Sequence, residues 1–420
     1  MRLQSASVTI RPYNADTDFE ATLRCWRECG WLEADQVDPL PLCLENARVL
    51  IGEVNGEAET NVLNVSGTIR HGNEDLPLSV VTTVTTSRVA RRQGLAGRVT
   101  AQAIARDAVD GAQVSALGIF EQGFYNKLGF GTLSYDYIFE FDPATLRLPD
   151  GVKARPPRRL TKDDYEAMHA NRLARRRGHG SCSLTPAAFS GAAGQWLKGG
   201  FGLGYFDGPD GALSHHFWCA TNGKEEHGPY RIVWMAYRND AQLLELLALL
   251  HGLGDQVRTI RMSQPPGIML QDMLLRPMHR RAITRGSDFK QDYWIAAWQQ
   301  ARICDVPGCL GRTKLPGSDS MRFNLKLSDP IETWLPDDAP WRGVAGEYVV
   351  ELGPSCEAES GRDDSLPTLT TSVNALTRLW LGVVPASGLT ITEQFDASRE
   401  LIERLDLVIR LPRPCVDWDF

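Results

Sequence analysis

The chain has 420 residues, of which 43% are hydrophobic and 23% charged, and its net charge at pH 7 is −7. This composition excludes a chain that is disordered throughout, and the length suggests two to four domains of about 100–200 residues each. The acidic balance argues against a nucleic-acid-binding protein and is compatible with a cationic ligand. No stretch contains the roughly 18 uninterrupted apolar residues that a membrane-spanning helix needs.

Two clusters of residues that interrupt helices and strands mark the boundaries between segments. Prolines and arginines cluster over residues 142–160, and Gly, Pro, Ser and Asp cluster over residues 301–319. Such clusters are typical of linkers between periodic segments. They predict three segments, which we take as domains over residues 1–150, 151–302 and 303–420.

The first segment mixes strands and helices. Leu78–Thr86 is rich in β-branched residues and predicts a buried strand, which is followed by a helix over Leu95–Val109. Gln113–Phe120 predicts a second strand, and the short helix Glu121–Leu128 ends at a glycine.

The second segment repeats part of this order. A strand is predicted over Tyr230–Tyr237, and Asn239 or Asp240 can cap the helix that follows. Gln256–Met262 predicts the next strand, so we interpret the second segment as a degenerate copy of the first. The third segment has three strands followed by helices, which is an α+β pattern.

A basic loop lies between the first strand and its helix. Its residues Arg91–Ala96 fit the pattern R/Q-x-x-G-x-G/A. The first N–H groups of a helix have no internal partner, and the helix dipole adds positive potential there. Gly94 allows close approach of a phosphate, so the loop predicts a pyrophosphate site. The alternative is an exposed basic loop before an ordinary helix.

The block F-Y-N-K-L-G-F-G, which begins at Phe124, closely resembles a motif of the GNAT acetyltransferases, and the basic loop resembles their acetyl-CoA pyrophosphate loop. The resemblance implies that Tyr125 protonates the departing thiolate of coenzyme A. A phenol holds its proton at pH 7 and can donate it over a hydrogen bond. The alternative role for Tyr125 is that of a packed core aromatic. The coenzyme-binding residues that the resemblance implies are Val84, Thr85, Thr86, Arg91, Arg92, Gln93, Gly94, Leu95, Ala96, Gly97, Phe120 and Glu121.

The three-part layout resembles the Eis (enhanced intracellular survival) family. In that family two tandem GNAT-like domains, the second degenerate, are followed by an α+β domain that is similar to sterol carrier proteins. The residues that carry the last match are MRFNLKLSD, AGEYVVEL and the helix Ala375–Gly382. The resemblance also implies a homohexamer.

The C-terminus reads C-V-D-W-D-F and ends at Phe420. In the Eis family the terminal carboxylate reaches the acetyltransferase site and acts as general base, and a carboxylate can accept the proton of an ammonium substrate. Trp418 and Phe420 would anchor the tail, and Asp417 and Asp419 would attract a cationic amine. The alternative is a frayed, solvated tail.

Several further residues are candidates for binding the acceptor. Trp26, Trp31, Glu33 and Asp35 lie in a segment that often lines the acceptor pocket of the resembled family, where aromatic and acidic groups suit a cation. Ordinary helix core with solvated acids explains them equally well. The bulk of Phe120 is expected to narrow the range of acceptors.

The nine cysteines include no CxxC pair, and the N-terminus lacks a secretory signal, so we expect a cytoplasmic protein with reduced thiols. The adjacent His215 and His216 point to opposite faces of a strand, so we expect no metal site. The function expected is an acetyl-CoA-dependent N-acetyltransferase acting on primary amines of a small molecule or peptide, such as aminoglycoside-like polyamines or lysine-type acceptors. The alternative is a non-catalytic sensor that binds acyl-CoA or lipid.

Overall fold

The structure is a computed structural model, and it describes residues 8–33, 39–120, 122–197, 199–221, 227–275, 281–282 and 289–420. The fold is mixed α+β, as the sequence predicts, and the described residues form three sheets. The chain divides into two compact units. Unit 1 comprises Met1–Ser134, His179–Thr185 and Trp298–Phe420, and unit 2 comprises Tyr135–Gly178 and Pro186–Ala297.

The strands have the following bounds: β1 (Val8–Pro12), β2 (Arg48–Val54), β3 (Glu57–His71), β4 (Glu74–Thr86), β5 (Val114–Gly118), β6 (Gly131–Thr132), β7 (Asp136–Phe141), β8 (Arg158–Leu160), β9 (Cys182–Leu184), β10 (Gly200–Tyr205), β11 (His215–Ala220), β12 (Tyr230–Ala236), β13 (Ile260–Ser263), β14 (Arg281–Ala282), β15 (Lys290–Ala296), β16 (Gln299–Ile303), β17 (Met321–Ser328), β18 (Gly346–Leu352), β19 (Glu357–Ser360), β20 (Thr368–Ser372) and β21 (Phe395–Asp396).

The α-helices are α1 (Ala15–Glu28), α2 (Pro39–Asn46), α3 (Leu95–Val109), α4 (Tyr165–Leu173), α5 (Ala188–Trp196), α6 (Asp240–Gly252), α7 (Val306–Gly311), α8 (Val373–Trp380), α9 (Ala386–Thr392) and α10 (Arg399–Val408). Within the described ranges, no helix is both long and apolar enough to span a membrane.

Sheet one lies in unit 1 and has the strand order β1-β2-β3-β4-β5-β16-β6, with β9 pairing onto β3. Strands β4 and β5 are parallel and are connected by α3. The apolar side chains Leu95 and Val99 of α3 join a core cluster with Val81 and Leu117. Burial of this helix face against the sheet stabilises the strand–helix–strand unit.

Sheet two lies in unit 2 and has the order β14-β15-β7-β13-β12-β11-β10-β8. Its β12 and β13 are also parallel and are joined by α6, so the predicted repetition of the strand–helix–strand order is present. The helix contributes Leu246, Leu247 and Leu250 to a core with Phe141 and Phe217.

Sheet three belongs to unit 1 and has the order β19-β18-β17-β20-β21. Its β17 and β20 are parallel, and β20 leads directly into α8. Helix α8 contacts β16 and β6 of sheet one. The C-terminal residues therefore pack against the sheet that contains the predicted GNAT motifs.

The predicted three-segment division stays a prediction, and the structure adds two details to it. Strand β7, which the sequence assigns to the end of the first segment, pairs in sheet two. Strand β16, which starts before the predicted boundary at residue 302, pairs in sheet one. Both strands lie beside a boundary, where local sequence patterns do not reveal which sheet accepts a strand.

Candidate functional site

Strands β4 and β5 separate at the point where the predicted site begins. Their parallel pairing ends at Val81 and Leu117, although β4 continues to Thr86. The register between β3 and β4 shifts in this part of β4, and Thr83 has a left-handed φ of +49°. Such an irregularity bends a strand away from its partner. The result is an opening in the sheet between β4 and β5.

A cavity of about 300 Å³ lies at this opening. This volume is at the lower end of the range for small-molecule sites. Its lining comes from the bulged part of β4, the end of β5, the start of β16 and the C-terminus. The lining residues are Trp31, Val81, Thr82, Thr83, Val84, Gly118, Ile119, Phe120, Tyr125, Trp298, Gln299, Asp419 and Phe420.

Tyr125 lines this cavity from the 3₁₀ turn Tyr125–Leu128. Its ring makes edge-on contacts with Phe120, Phe124 and Phe130, with centroid distances of 6.1, 4.8 and 6.2 Å. Burial raises the pKa of the Tyr125 phenol, because the charged form would lose its hydration. The phenol therefore remains protonated at neutral pH and can act as a hydrogen-bond donor.

The turn that carries Tyr125 is held by buried polar groups from later in the chain. The Arg302 guanidinium donates to the carbonyl oxygen of Leu128 and pairs with Asp329, and both charged side chains are fully buried. The Asn374 amide donates to the carbonyl oxygens of Asn126 and Phe130 at 3.0 and 2.8 Å. These contacts hold the backbone of the turn that carries the Tyr125 side chain.

The C-terminal tail is anchored rather than frayed. Trp418 is 3% exposed, and the Cys415 N–H donates to the carbonyl oxygen of His179 at 2.9 Å. The Ser181 hydroxyl donates to the Asp417 carboxylate at 2.6 Å, and the Ser134 hydroxyl donates to the carbonyl oxygen of Pro414. The tail ends at the cavity, where Asp419 and Phe420 form part of the lining.

Two glycines make room for the tail. A Cβ atom on Gly118 would lie 2.6 Å from a terminal oxygen of Phe420, and a Cβ on Gly180 would lie 2.6 Å from the Pro414 side chain. Neither distance is compatible with a real Cβ contact. The lack of a side chain at Gly118 is therefore what allows the terminal carboxyl group to reach the end of β5.

The basic loop precedes α3 as the sequence predicts. Gly94 is the N-cap with a left-handed φ of +71°, so the N-cap residue itself supplies no side-chain cap. Arg91, Arg92 and Gln93 are exposed, and the first turn of α3 contains no acidic residue. The N–H groups of a first helical turn have no partner within the helix, and together with the helix dipole and arginine charge they make this end of α3 favourable for an anion.

Other predicted coenzyme residues differ in their surroundings. Val84 lines the cavity, and Thr85 and Thr86 complete β4. Leu95 is buried in the core, and Ala96 is half-buried. A Cβ on Gly97 would overlap the Trp334 indole, so packing within unit 1 is sufficient to require a glycine there. Phe120 lines the cavity and is 73% exposed, whereas Glu121 lies outside the described residues.

The predicted acceptor residues are only partly brought together. Trp31 lines the cavity and is 44% exposed. Trp26 is fully buried, donates to the Asn61 side chain at 3.0 Å and packs edge-on against Trp31. Its place is therefore behind the cavity wall. Glu33 is exposed and does not belong to the lining, and Asp35 lies outside the described residues.

Gly118, Trp298, Gln299 and Arg302 are contributors that sequence reasoning missed. Gly118 lies at the end of the predicted strand Gln113–Phe120, and the other three lie in or beside a short strand pattern at a predicted boundary, Gln299–Ile303. That pattern gave no indication that the strand inserts between β5 and β6. The structure shows that Arg302 is fully buried and paired with Asp329, which the sequence alone does not reveal.

The two adjacent histidines in unit 2 have structural partners. His216 contacts Asn171 through Nδ1 at 2.7 Å, and its Nε2 accepts a hydrogen bond from Trp234 at 3.0 Å. Burial lowers the pKa of His216 to about 3, so the ring is neutral. Among the described residues, no group of three or more His, Cys, Asp or Glu side chains is arranged to hold a metal ion.

A second cavity lies between sheet three and α8 and is apolar. It is lined by residues such as Phe323, Leu325, Leu376 and Trp380, and its volume is about 20 Å³. That space suffices for about one water molecule. The interior of this part of unit 1 is therefore packed by its own side chains.

Comparison with known proteins assigns the first part of the chain to a family. Residues 9–133 match the family model described as an acetyltransferase (GNAT) domain. This range contains the β4 bulge, the basic loop and the Tyr125 turn. The resemblance to GNAT acetyltransferases is thus confirmed, and the N-terminal part of unit 1 is a GNAT acetyltransferase domain. No curated protein matches the sequence.

Solved structures share the fold over the whole chain. A probable N-acyltransferase from Enterococcus faecalis V583 has a TM-score of 0.78 at 13% identity, with 99% of this chain and 100% of that chain covered. A GCN5-related N-acetyltransferase from Anabaena variabilis has a TM-score of 0.77 at 12% identity, with the same coverage. Eis1 from Mycobacterium abscessus has a TM-score of 0.73 at 16% identity, again over 99% and 100%. The chain therefore has the full-length fold of Eis1.

Proposed function

We propose that this chain is an acetyl-CoA-dependent N-acetyltransferase that acts on primary amines. The observation that carries the proposal is the meeting of Tyr125 and the terminal residue Phe420 at one cavity beside the bulged strand of a GNAT domain. The two residues are 295 positions apart in the sequence, which is the difference between 420 and 125. One supplies a protonated phenol and the other a carboxylate, the pair of groups that acyl transfer to an amine requires.

Acetyl-CoA would bind along β4 and at the start of α3. Its pyrophosphate would accept hydrogen bonds from the free N–H groups after Gly94 and pair with Arg91 and Arg92. The thioester would lie in the opening between β4 and β5, where the end of regular pairing leaves room beside Val84. The geometry of the uncapped helix supports this assignment.

The chemistry divides between the two groups at the cavity. The Phe420 carboxylate accepts a proton from the acceptor ammonium, directly or through water, so that the free amine can attack the thioester carbonyl carbon. As the C–N bond forms and the C–S bond breaks, the nitrogen gives up a second proton to solvent. Tyr125 donates its hydroxyl proton to the departing sulfur, and the resulting phenolate is then reprotonated from solvent.

The acceptor is a primary amine whose cation is attracted by Asp419 and the terminal carboxylate. Trp31 and Phe120 are exposed aromatic residues at the same cavity and provide faces for cation–π contact. The family resemblance suggests aminoglycoside-like polyamines or lysine-type amines as the acceptors to test first.

The alternative function, a lipid or acyl-chain carrier, is disfavoured by the packed interior of sheet three. A cavity of about 20 Å³ has no room for an acyl chain. The closed packing supports a role of this region in holding the Tyr125 turn and the tail.

The test is release of free thiol from acetyl-CoA over a panel of primary amines, with mass spectrometry of the products. We expect turnover and a mass gain of one acetyl group on at least one amine. Tight coenzyme binding without turnover on any amine would favour the sensor instead. Assembly as a homohexamer is a separate part of the proposal, and light scattering of the purified full chain tests it.

A further inference from the structure

Strand β16 brings a glutamine beside the terminal carboxyl group. Gln299 is directly opposite Gly118 in the antiparallel register between β16 and β5. Side chains at directly opposed positions lie on the same face of a sheet. The missing Cβ of Gly118 points at the Phe420 terminal oxygen, so the Gln299 side chain shares a sheet face with that oxygen.

The Gln299 carboxamide is buried and incompletely satisfied. The residue is 5% exposed and lines the cavity, and its Oε1 has no hydrogen-bond partner among the described residues. A buried acceptor that lacks a partner costs stability. Such a group in a cavity is a candidate for binding a ligand that donates a hydrogen bond.

The next residue along the strand provides an internal comparison. Gln300 is also buried, but its side chain points to the opposite face, as successive side chains of a strand do. Its Nε2 donates to the Thr132 hydroxyl at 2.9 Å and to Asn126 Oδ1 at 3.3 Å, whereas its Oε1, like that of Gln299, has no partner among the described residues. The two glutamines therefore differ in the face they occupy and in lining the cavity, which only Gln299 does. Gln300 therefore contributes to the packing behind the cavity, whereas Gln299 faces the site.

We propose that the Gln299 carbonyl oxygen binds the acceptor amine by accepting one of its N–H groups. This inference rests on the proposed function and deepens it. An ammonium has three donors, of which the Phe420 carboxylate takes the one whose proton is removed. Gln299 holds a second N–H on the same sheet face, which orients the nitrogen lone pair toward the thioester once the proton has left. Gln299 thus contributes to recognition of the amino group itself rather than of the rest of the acceptor molecule.

The experiment compares Gln299→Met with Gln300→Met in the full chain. Methionine keeps the length of the side chain and removes its amide. For Gln299→Met we expect the KM of the amine to rise about tenfold, because a hydrogen bond to a charged donor is lost. The Kd of acetyl-CoA, measured by titration calorimetry, is expected to change by less than about twofold, and the Tm to remain or rise because an unsatisfied acceptor has been removed.

Gln300→Met is expected to show the reverse pattern. Its Tm falls because the Nε2 hydrogen bonds to Thr132 and Asn126 are lost, a loss that outweighs the removal of its own unpartnered Oε1. The amine KM stays near the native value because Gln300 does not line the cavity. An unchanged amine KM in Gln299→Met would overturn the proposal. So would a loss of acetyl-CoA affinity that matches the rise in amine KM, because the glutamine would then serve the coenzyme or the general packing.

A direct binding measurement separates this inference from the proposed function. The same amines are titrated into native and Gln299→Met protein that has been saturated with coenzyme A. Weaker amine binding in the variant, without turnover by the native chain, would support the role of Gln299 and contradict the acetyltransferase. Turnover with equal amine binding in both proteins would support the enzyme and overturn the role of Gln299. Absence of both turnover and amine binding in the native chain would contradict both.

Discussion

The two units each contain a parallel strand–helix–strand element, and the N-termini of the two helices differ. In unit 2, the Asn239 side chain caps α6 by accepting from the Gln242 N–H at 3.0 Å, and Asp240 places a negative charge in the first turn. In unit 1, α3 starts at the left-handed Gly94 with no side-chain cap and no acid in its first turn. The same local topology thus has a side-chain cap at the start of its helix in unit 2, whereas the N-cap residue in unit 1 supplies none.

The difference shows what an anion site requires beyond a helix. A capping side chain occupies the N–H groups that a phosphate would use, and an acidic residue cancels the favourable potential. Unit 2 therefore stabilises its helix with its own side chains. Unit 1 gives up that stabilisation, which is typical of a position reserved for a ligand.

Removal of the Tyr125 hydroxyl is the change with the largest expected effect, and it tests whether unit 1 alone carries the chemistry. For Tyr125→Phe we expect kcat to fall about 10²–10⁴-fold, because general acid catalysis is lost, while the Kd of acetyl-CoA is retained. The matched control is Tyr205→Phe in unit 2, which loses a hydrogen bond to the Arg155 carbonyl oxygen and should lower stability without lowering kcat. Undiminished turnover in Tyr125→Phe would remove the acid assignment.

Addition of a methyl group at the end of β5 should disturb the terminal carboxylate. Gly118→Ala places a Cβ 2.6 Å from the present position of the Phe420 oxygen. We expect kcat/KM for the amine to fall about 10²-fold, because displacement of a reacting group by about 1 Å has effects of that size. Gly311→Ala is the control, since a Cβ there meets nothing within 4 Å among the described residues outside its own chain neighbours and helix backbone. Equal activity of the two variants would show that the carboxylate position is unimportant.

Each unit buries at least two histidines, and their protonation at low pH should lower the free energy of unfolding. His71 in unit 1 is 1% exposed, and burial lowers its pKa to about 4. The unfolded chain, with a His pKa of about 6.5, binds more protons between these values, so stability is full above pH 6.5 and decreases as pH falls toward 4. His71 alone should account for about 2 kcal/mol between pH 7 and pH 5.

The measurement is urea unfolding of native protein and His71→Phe at both pH values. Phenylalanine retains a ring to stack on Trp380, against which His71 now lies at a centroid distance of 4.6 Å. The loss of stability on acidification should be smaller in the variant by about the stated amount. The same loss in both proteins would mean that His71 does not determine the acid sensitivity of unit 1.

A negatively charged residue in place of Gly94 makes the start of α3 resemble the start of α6 in unit 2. Gly94→Asp should raise the Kd of acetyl-CoA about tenfold, because the carboxylate repels the pyrophosphate. Gly94→Asn has the same size and the same strain at positive φ without the charge, and its Kd should change less. Equal effects of the two substitutions would point to backbone strain instead of charge.

The corresponding change in unit 2 is the smallest. Asn239→Ala should lower the free energy of unfolding by about 1 kcal/mol through loss of the cap and leave the Kd of acetyl-CoA unchanged. An altered Kd would mean that the helix start in unit 2 also influences coenzyme binding, which would break the contrast between the units.

Local patterns in the sequence predicted most of the strand–helix–strand elements and the motif around Tyr125. They also predicted that the tail is anchored, because apolar Trp418 favours burial. Local patterns could not predict the pairing of Gln299 with Gly118. Strand β16 follows β5 by about 180 residues, and its partner depends on the closure of the whole sheet. Trp26 and Trp31 looked equivalent in sequence, but only Trp31, beyond the end of α1, reaches the cavity.

The most direct test of the central claim compares the native chain with one extended by a few residues after Phe420. Thiol release from acetyl-CoA is measured across the amine panel, and coenzyme binding is measured in parallel. The account predicts turnover in the native chain and its loss on extension, with acetyl-CoA affinity intact. Equal turnover in both chains would contradict the role of the terminal carboxylate as the base.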